Sequence, residues 1–165
     1  MIKAAPTLTA LIAVCAFVVP AQARDSLGVY SNWAAFRDDS PSRCYAIAKP
    51  RSGSPGPYAS VATWPDKGLR GQVYFRLSRD AGEDTGATLT IGDRKFELVT
   101  QGRNAWATNA SVDAGVIAAM RSATRMTVTA RRANGARFSD RYSLAGAATA
   151  MDASVVGCAN NRSRG

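Results

Sequence analysis

A mainly antiparallel β fold with two short helices, the C-terminal one tethered by a disulfide, is what this 165-residue chain predicts. Three features point there. Short runs rich in Val, Tyr, Phe and Trp are separated by clusters of Gly, Pro, Asp and Ser, the punctuation of strands and turns. Two of these runs close on themselves as hairpins whose apolar residues fall on one face. Only two segments, 111–122 and 144–158, carry apolar residues at helical spacing.

The first 23 residues stand apart from that pattern. Met1-Ile2-Lys3 is followed by an apolar stretch from Leu8 to Val19, then Pro20, then Ala21-Gln22-Ala23 before the polar Arg24-Asp25. A basic start, a short apolar centre and small residues at −3 and −1 make a signal peptide cleaved after Ala23. The apolar stretch is too short for a transmembrane anchor, which needs about 20 residues. Cys15 lies inside that stretch and leaves with the leader. A single domain is expected over residues 24–160, with a flexible polar tail at 161–165.

Ser26 to Phe36 reads as one or two strands, and Asp38-Asp39-Ser40-Pro41 as a turn cluster. Arg43 to Ala48 is apolar on both faces, as a central strand is, and its small face (Cys44, Ala46, Ala48) suits close contact with another element. Lys49 to Pro57 is a loop by its prolines and glycines. Tyr58 to Trp64 and Gly71 to Ser78 follow as strands, and Ala81 to Gly86 as a loop. A two-residue turn at Gly92-Asp93 pairs Leu89 with Phe96 and Ala87 with Leu98 on one face, and suits a type II′ turn. Around Asn134-Gly135 a two-residue turn scrambles the faces. A three-residue loop pairing Arg132 with Ala136 instead sets Ala130 opposite Phe138 and Met126 opposite Tyr142, with Gly135 left-handed. Asp140 then lands on the apolar face and needs an arginine or backbone partner. In the first helix Val112, Val116, Ile117 and Met120 form the stripe, and Asn109 or Ser111 can cap it. In the second the stripe is Leu144, Ala148, Met151, Val155 and Cys158. About seven or eight strands result.

After cleavage two cysteines remain, Cys44 and Cys158. An exported chain with two cysteines is expected to join them. Closing a loop of about 100 residues is worth up to ~4.7 kcal/mol in the chain-entropy account.

The chain has no histidine. That excludes Ser-His-Asp and Cys-His nucleophiles, imidazole zinc sites and a histidine proton shuttle. Nothing in the sequence calls for a cofactor or metal. The acidic pairs Asp38-Asp39 and Glu83-Asp84 sit in turn-forming sequence and read as solvated. Neither Gly68–Gly71 nor Gly82–Gly86 matches a phosphate-binding loop. Trp33, Trp64 and Trp106 read as core and edge fillers, with a ligand platform as the alternative. The net charge is +9. Arg131, Arg132, Arg137 and Arg141 gather at the last hairpin, as a solvated basic face or as a patch that attracts anionic polymers.

The segment Ser26-Leu-Gly-Val-Tyr-Ser-Asn-Trp33-Ala-Ala-Phe36, then Arg43-Cys44-Tyr-Ala-Ile-Ala-Lys-Pro50, resembles the invasion-associated locus B family of exported bacterial proteins. Trp106, the helix from Asp113 to Arg121 and the closing Asp140-Arg-Tyr-Ser-Leu-Ala-Gly with Cys158 extend the likeness over nearly all of residues 26–158. The resemblance implies an immunoglobulin-like antiparallel β-sandwich at the periplasm or cell surface, with no catalytic residues to carry over. A pathogen member is associated with host-cell invasion. Many members have another cysteine shortly after the motif tryptophan, where Phe36 stands here. The expected function is a non-enzymatic, envelope-associated binding module with an envelope or cell-surface partner. The alternatives are a structural or chaperone-like periplasmic protein pairing through sheet edges, and a carboxylate-dependent hydrolase.

Overall fold

The computed structural model describes residues 24–51 and 56–159; residues 1–23, where the signal peptide is expected, residues 52–55 and residues 160–165 lie outside them. Strands β1 (Arg24–Tyr30), β2 (Trp33–Asp39), β3 (Ser42–Ala48), β4 (Tyr58–Trp64) and β5 (Leu69–Arg76) form a meander. A 3-10 turn at Pro65–Lys67 joins the last two. Next come β6 (Ala87–Ile91), β7 (Arg94–Gln101) and β8 (Asn104–Ala107), then α1 (Ala110–Ser122). β9 (Arg125–Arg131), β10 (Arg137–Ser143) and α2 (Ala147–Ala159) complete the described chain. The mainly β, antiparallel class with two helices holds. The strands exceed the seven or eight expected, in part because the four residues of β8 are too few to show a period.

Hydrogen bonding runs unbroken through one ten-stranded sheet, in the order β1-β2-β3-β4-β5-β8-β7-β6-β9-β10. The two halves of this sheet meet across the core. Trp33 Nε1 of β2 donates to the Ser143 carbonyl of β10 at 2.9 Å. Phe75 of β5 and Tyr142 of β10 bring their ring centroids to 6.1 Å. Alternate residues of the strands, among them Ala46, Val73, Leu89 and Val128, share a single buried cluster. Val116 and Met120 of α1 and Ala147, Ala150 and Met151 of α2 join it.

Both hairpin registers hold. Leu89 faces Phe96 and Ala87 faces Leu98 across Gly92-Asp93, with Gly92 at φ +60°. Ala130 faces Phe138 and Met126 faces Tyr142 in the last hairpin. There Arg132 N donates to the Ala136 carbonyl, and Gly135 is left-handed at φ +80°. Asp140 points inward and accepts from Ser78 N at 2.8 Å, a backbone partner of the kind its position demands. Asn109 caps α1, accepting from Ser111 N and Val112 N.

Cys44 and Cys158 are bonded across 114 positions, tying α2 to β3. The helix is rotated from the stripe expected for it. Its buried side is Ala147, Ala150, Met151, Ser154, Gly157 and Cys158, while Val155 is 56% exposed. The disulfide turns Cys158 inward, and the small residues beside it let the helix approach the sheet closely. A Cβ on Gly157 would run into Leu27 of β1.

Candidate functional site

Because side chains alternate along a strand, each residue between two core positions points away from the core. On β2 to β8 those outward positions are unusually aromatic. Phe36 lies opposite Tyr45, Ser60 opposite Tyr74, and Tyr74 opposite Trp106, so a band of rings crosses the outer face. Tyr58 packs on Tyr74 with centroids 5.8 Å apart. A sheet face turned to water is ordinarily polar.

Within the band is a hollow of about 360 Å³ lined by Arg24, Arg43, Tyr45, Tyr58, Trp64 and Tyr74, with Ser60 and Gln72 among its polar groups. The Arg43 guanidinium lies 4.6 Å from the Tyr45 centroid and 5.2 Å from that of Trp64. Arg24 covers Phe36 and Tyr45 at 5.7 and 5.9 Å, and Lys67 stands 4.8 Å from Trp64. These cation–π contacts explain how Tyr45 is buried on an outer face: the arginine stems and heads are its cover. Asp38 accepts from Arg43 Nε at 2.8 Å and from Arg24 Nε at 3.3 Å, so two guanidinium groups share one carboxylate. Gln72 Oε1 accepts from Trp64 Nε1 at 3.1 Å and orients that ring.

Burial, with the Asp38 charge behind it, pushes the Tyr45 hydroxyl above its ordinary range; Arg24 and Arg43 pull it back in part. Burial and the neighbouring Tyr74 push Tyr58 in the same direction. Both phenols are therefore neutral at physiological pH. The Tyr45 hydroxyl is itself buried, beneath the Arg43 guanidinium. A second hollow of about 650 Å³ adjoins the first, sharing Ile47 and Tyr58 and running on past Val29, Phe36 and Pro57.

The three tryptophans divide. Trp33 is core, whereas Trp64 and Trp106 stand half-buried on the outer face. Arg131, Arg132, Arg137 and Arg141 are all exposed. Arg131 and Arg137 face each other in register, and Arg141 faces Thr127 on the same outward side. With Lys95 and four threonines, Arg131 and Arg137 line a hollow of about 380 Å³. Of the acidic pairs, Asp38 is held by two arginines and Asp39 by Arg37. Glu83 and Asp84 stand exposed in the loop before β6. Among the described residues no three His, Cys, Asp or Glu side chains gather as metal ligands, and no helix is long and apolar enough to cross a membrane.

Sequence reasoning missed the cradle of Arg24, Arg43, Tyr45, Tyr58 and Tyr74. One signal was present: β3 is apolar on both faces, and its neighbour β4 carries Tyr58 and Trp64 outward. That pattern reads as a strand buried on both sides, when in fact one side faces a hollow.

Fold and surface together define a disulfide-bonded, mainly antiparallel β protein with two core-packed helices and a basic, aromatic outer face. The chain belongs to the invasion associated locus B (IalB) protein family, whose model matches residues 38–155. No curated protein and no solved structure matches it.

Proposed function

We propose that this chain is an exported, non-enzymatic binding module of the cell envelope, which holds an envelope or cell-surface component on the outer face of its sheet. The observation that carries the reading is the aromatic band over β2 to β8. The core is complete on the inner face, so these rings are not needed to close it, and large aromatic groups beside pinned arginines are the composition of recognition surfaces. Family membership and the disulfide favour an oxidising compartment outside the cytoplasm. Binding without turnover fits a chain whose Asp38 and Asp39 carboxylates are occupied by arginines and which has no histidine. The edge-pairing alternative would use β1 or β10, the two ends of the sheet; a bulge between Ser26 and Gly28 interrupts the first, and Arg51 N already donates to the Arg141 carbonyl of the second at 2.8 Å, so both are poor templates.

Cell fractionation with mass spectrometry of the N-terminus tests export. A chain beginning at Arg24 outside the cytoplasm is expected, and one beginning before Leu8 overturns it. Cosedimentation with isolated envelopes tests binding. Replacing Trp64 and Tyr74 together by Ala is expected to cut the sedimenting fraction at least fivefold while the thermal midpoint stays within a few degrees. Unchanged sedimentation of that folded variant rejects the outer face as the binding surface.

A further inference from the structure

We infer that the cradle between β1, β3, β4 and β5 binds a pyranoside bearing an anionic group, a unit of an acidic polysaccharide. This rests on the outer-face reading above and adds the ligand class to it.

The lining combines what such a sugar requires. The rings of Tyr45, Tyr58, Trp64 and Tyr74 offer apolar faces for the C–H side of a pyranose. Ser60 and the amide nitrogen of Gln72 offer hydrogen bonds to its hydroxyl groups.

The charge balance selects an anion. Arg24 and Arg43 share only Asp38, which leaves one guanidinium charge in excess at the hollow, and Lys67 adds another cation beside Trp64. Arg43 is already immobilised: Asp38 Oδ2 engages Nε at 2.8 Å and Nη2 at 2.7 Å, while Tyr45 and Trp64 flank the plane. A guanidinium carries five N–H donors in a rigid fork, so one occupied edge leaves others for a ligand carboxylate or sulfate at little further entropy cost.

Size agrees with a short oligosaccharide. The 360 Å³ hollow lies within the roughly 300–1,000 Å³ of ligand pockets, and it continues through Ile47 and Tyr58 into the larger one. A polynucleotide is a poorer match. It calls for cations spaced along a phosphate track, whereas Arg24 and Arg43 converge on a single carboxylate.

Titration calorimetry of the chain beginning at Arg24 tests this with trigalacturonate, a heparin-derived tetrasaccharide, neutral galactotriose and an oligothymidylate. Trigalacturonate or the heparin fragment is expected to bind at least tenfold more tightly than galactotriose, and which of them does so tells carboxylate from sulfate recognition. Trp64→Ala and Arg43→Gln should each weaken that binding at least tenfold with the thermal midpoint held, while Arg94→Gln, at the exposed start of β7, leaves it unchanged. No binding of either anionic sugar at millimolar concentration, equal binding of galactotriose or oligothymidylate, or loss with Arg94→Gln overturns the inference. If envelope cosedimentation persists while both sugars fail, the ligand class is wrong and the outer-face reading stands.

Discussion

Asp113 shows how one carboxylate can join two elements and set a pH response. In the first turn of α1 it accepts from Val73 N of β5 at 2.8 Å. Burial disfavours its charge and raises its pKa, and the Val73 N–H offsets this only in part. A folded value above the unfolded one means that its stabilising contribution is whole below the ordinary carboxylate range and is lost as pH rises through the folded value. Asp113→Asn keeps an oxygen for Val73 and removes the charge. Its thermal midpoint is expected to equal or exceed that of the parent at pH 7, the gap closing toward about pH 4. A clear loss at pH 7 would show that the charge itself stabilises. Asp152 has the opposite sign, because its hydrogen bond with Arg121 lowers its pKa and what it contributes is lost on acidification. That pair is exposed and screened, so it weighs little. Asp140, 1% exposed, meets the cost of burial through Ser78 N, which fastens the end of β5 to β10.

At the scale of elements, α2 is the one whose place depends most on a covalent link. Its buried side is largely Ala, Ser and Gly, which pack closely but remove little apolar area from water. Val155 and Val156, its larger aliphatic residues, are both more than half exposed. The tether to Cys44 supplies what apolar burial does not. Reduction, or Cys44→Ser with Cys158→Ser, is expected to lower unfolding free energy by about 2–5 kcal/mol in denaturant titrations. An unchanged midpoint would mean that small-residue packing alone seats the helix.

Across the whole molecule the basic side chains of the described strands gather on separate outward surfaces. In the sheet order, β8, β7 and β6 lie between the aromatic cradle and the arginines of β9 and β10. The sheet also folds back on itself, so that Arg51 N, beside the second hollow, donates to the Arg141 carbonyl of β10 at 2.8 Å. Arg131 and Arg137 are like charges directly opposite one another, an arrangement that costs stability and that a polyanion would offset. Retention on heparin is expected to fall steeply with salt. Replacing both arginines by Gln should reduce the slope of log affinity against log salt by about 1.5. No retention at low salt would leave those arginines as a solvated face.

The sequence alone determined the local order: the class, both hairpin registers, the start of α1 at a cap residue (Asn109 or Ser111), and the pairing of Cys44 with Cys158. These depend on alternation, turn chemistry and the count of cysteines left after export, which concern near neighbours or a single pair of residues. Which residues meet across the sheet was decided only in three dimensions. Arg24, Arg43, Tyr45, Trp64 and Tyr74 lie on four strands, and only the successive registers bring them to one hollow. The rotation of α2 was decided there too, because how closely small residues let it approach β1 depends on the sheet. A strand with two apolar faces looks the same in sequence whether a second layer or a ligand covers its outer side. The difference is the presence of a covering layer, and that is a property of the assembled fold.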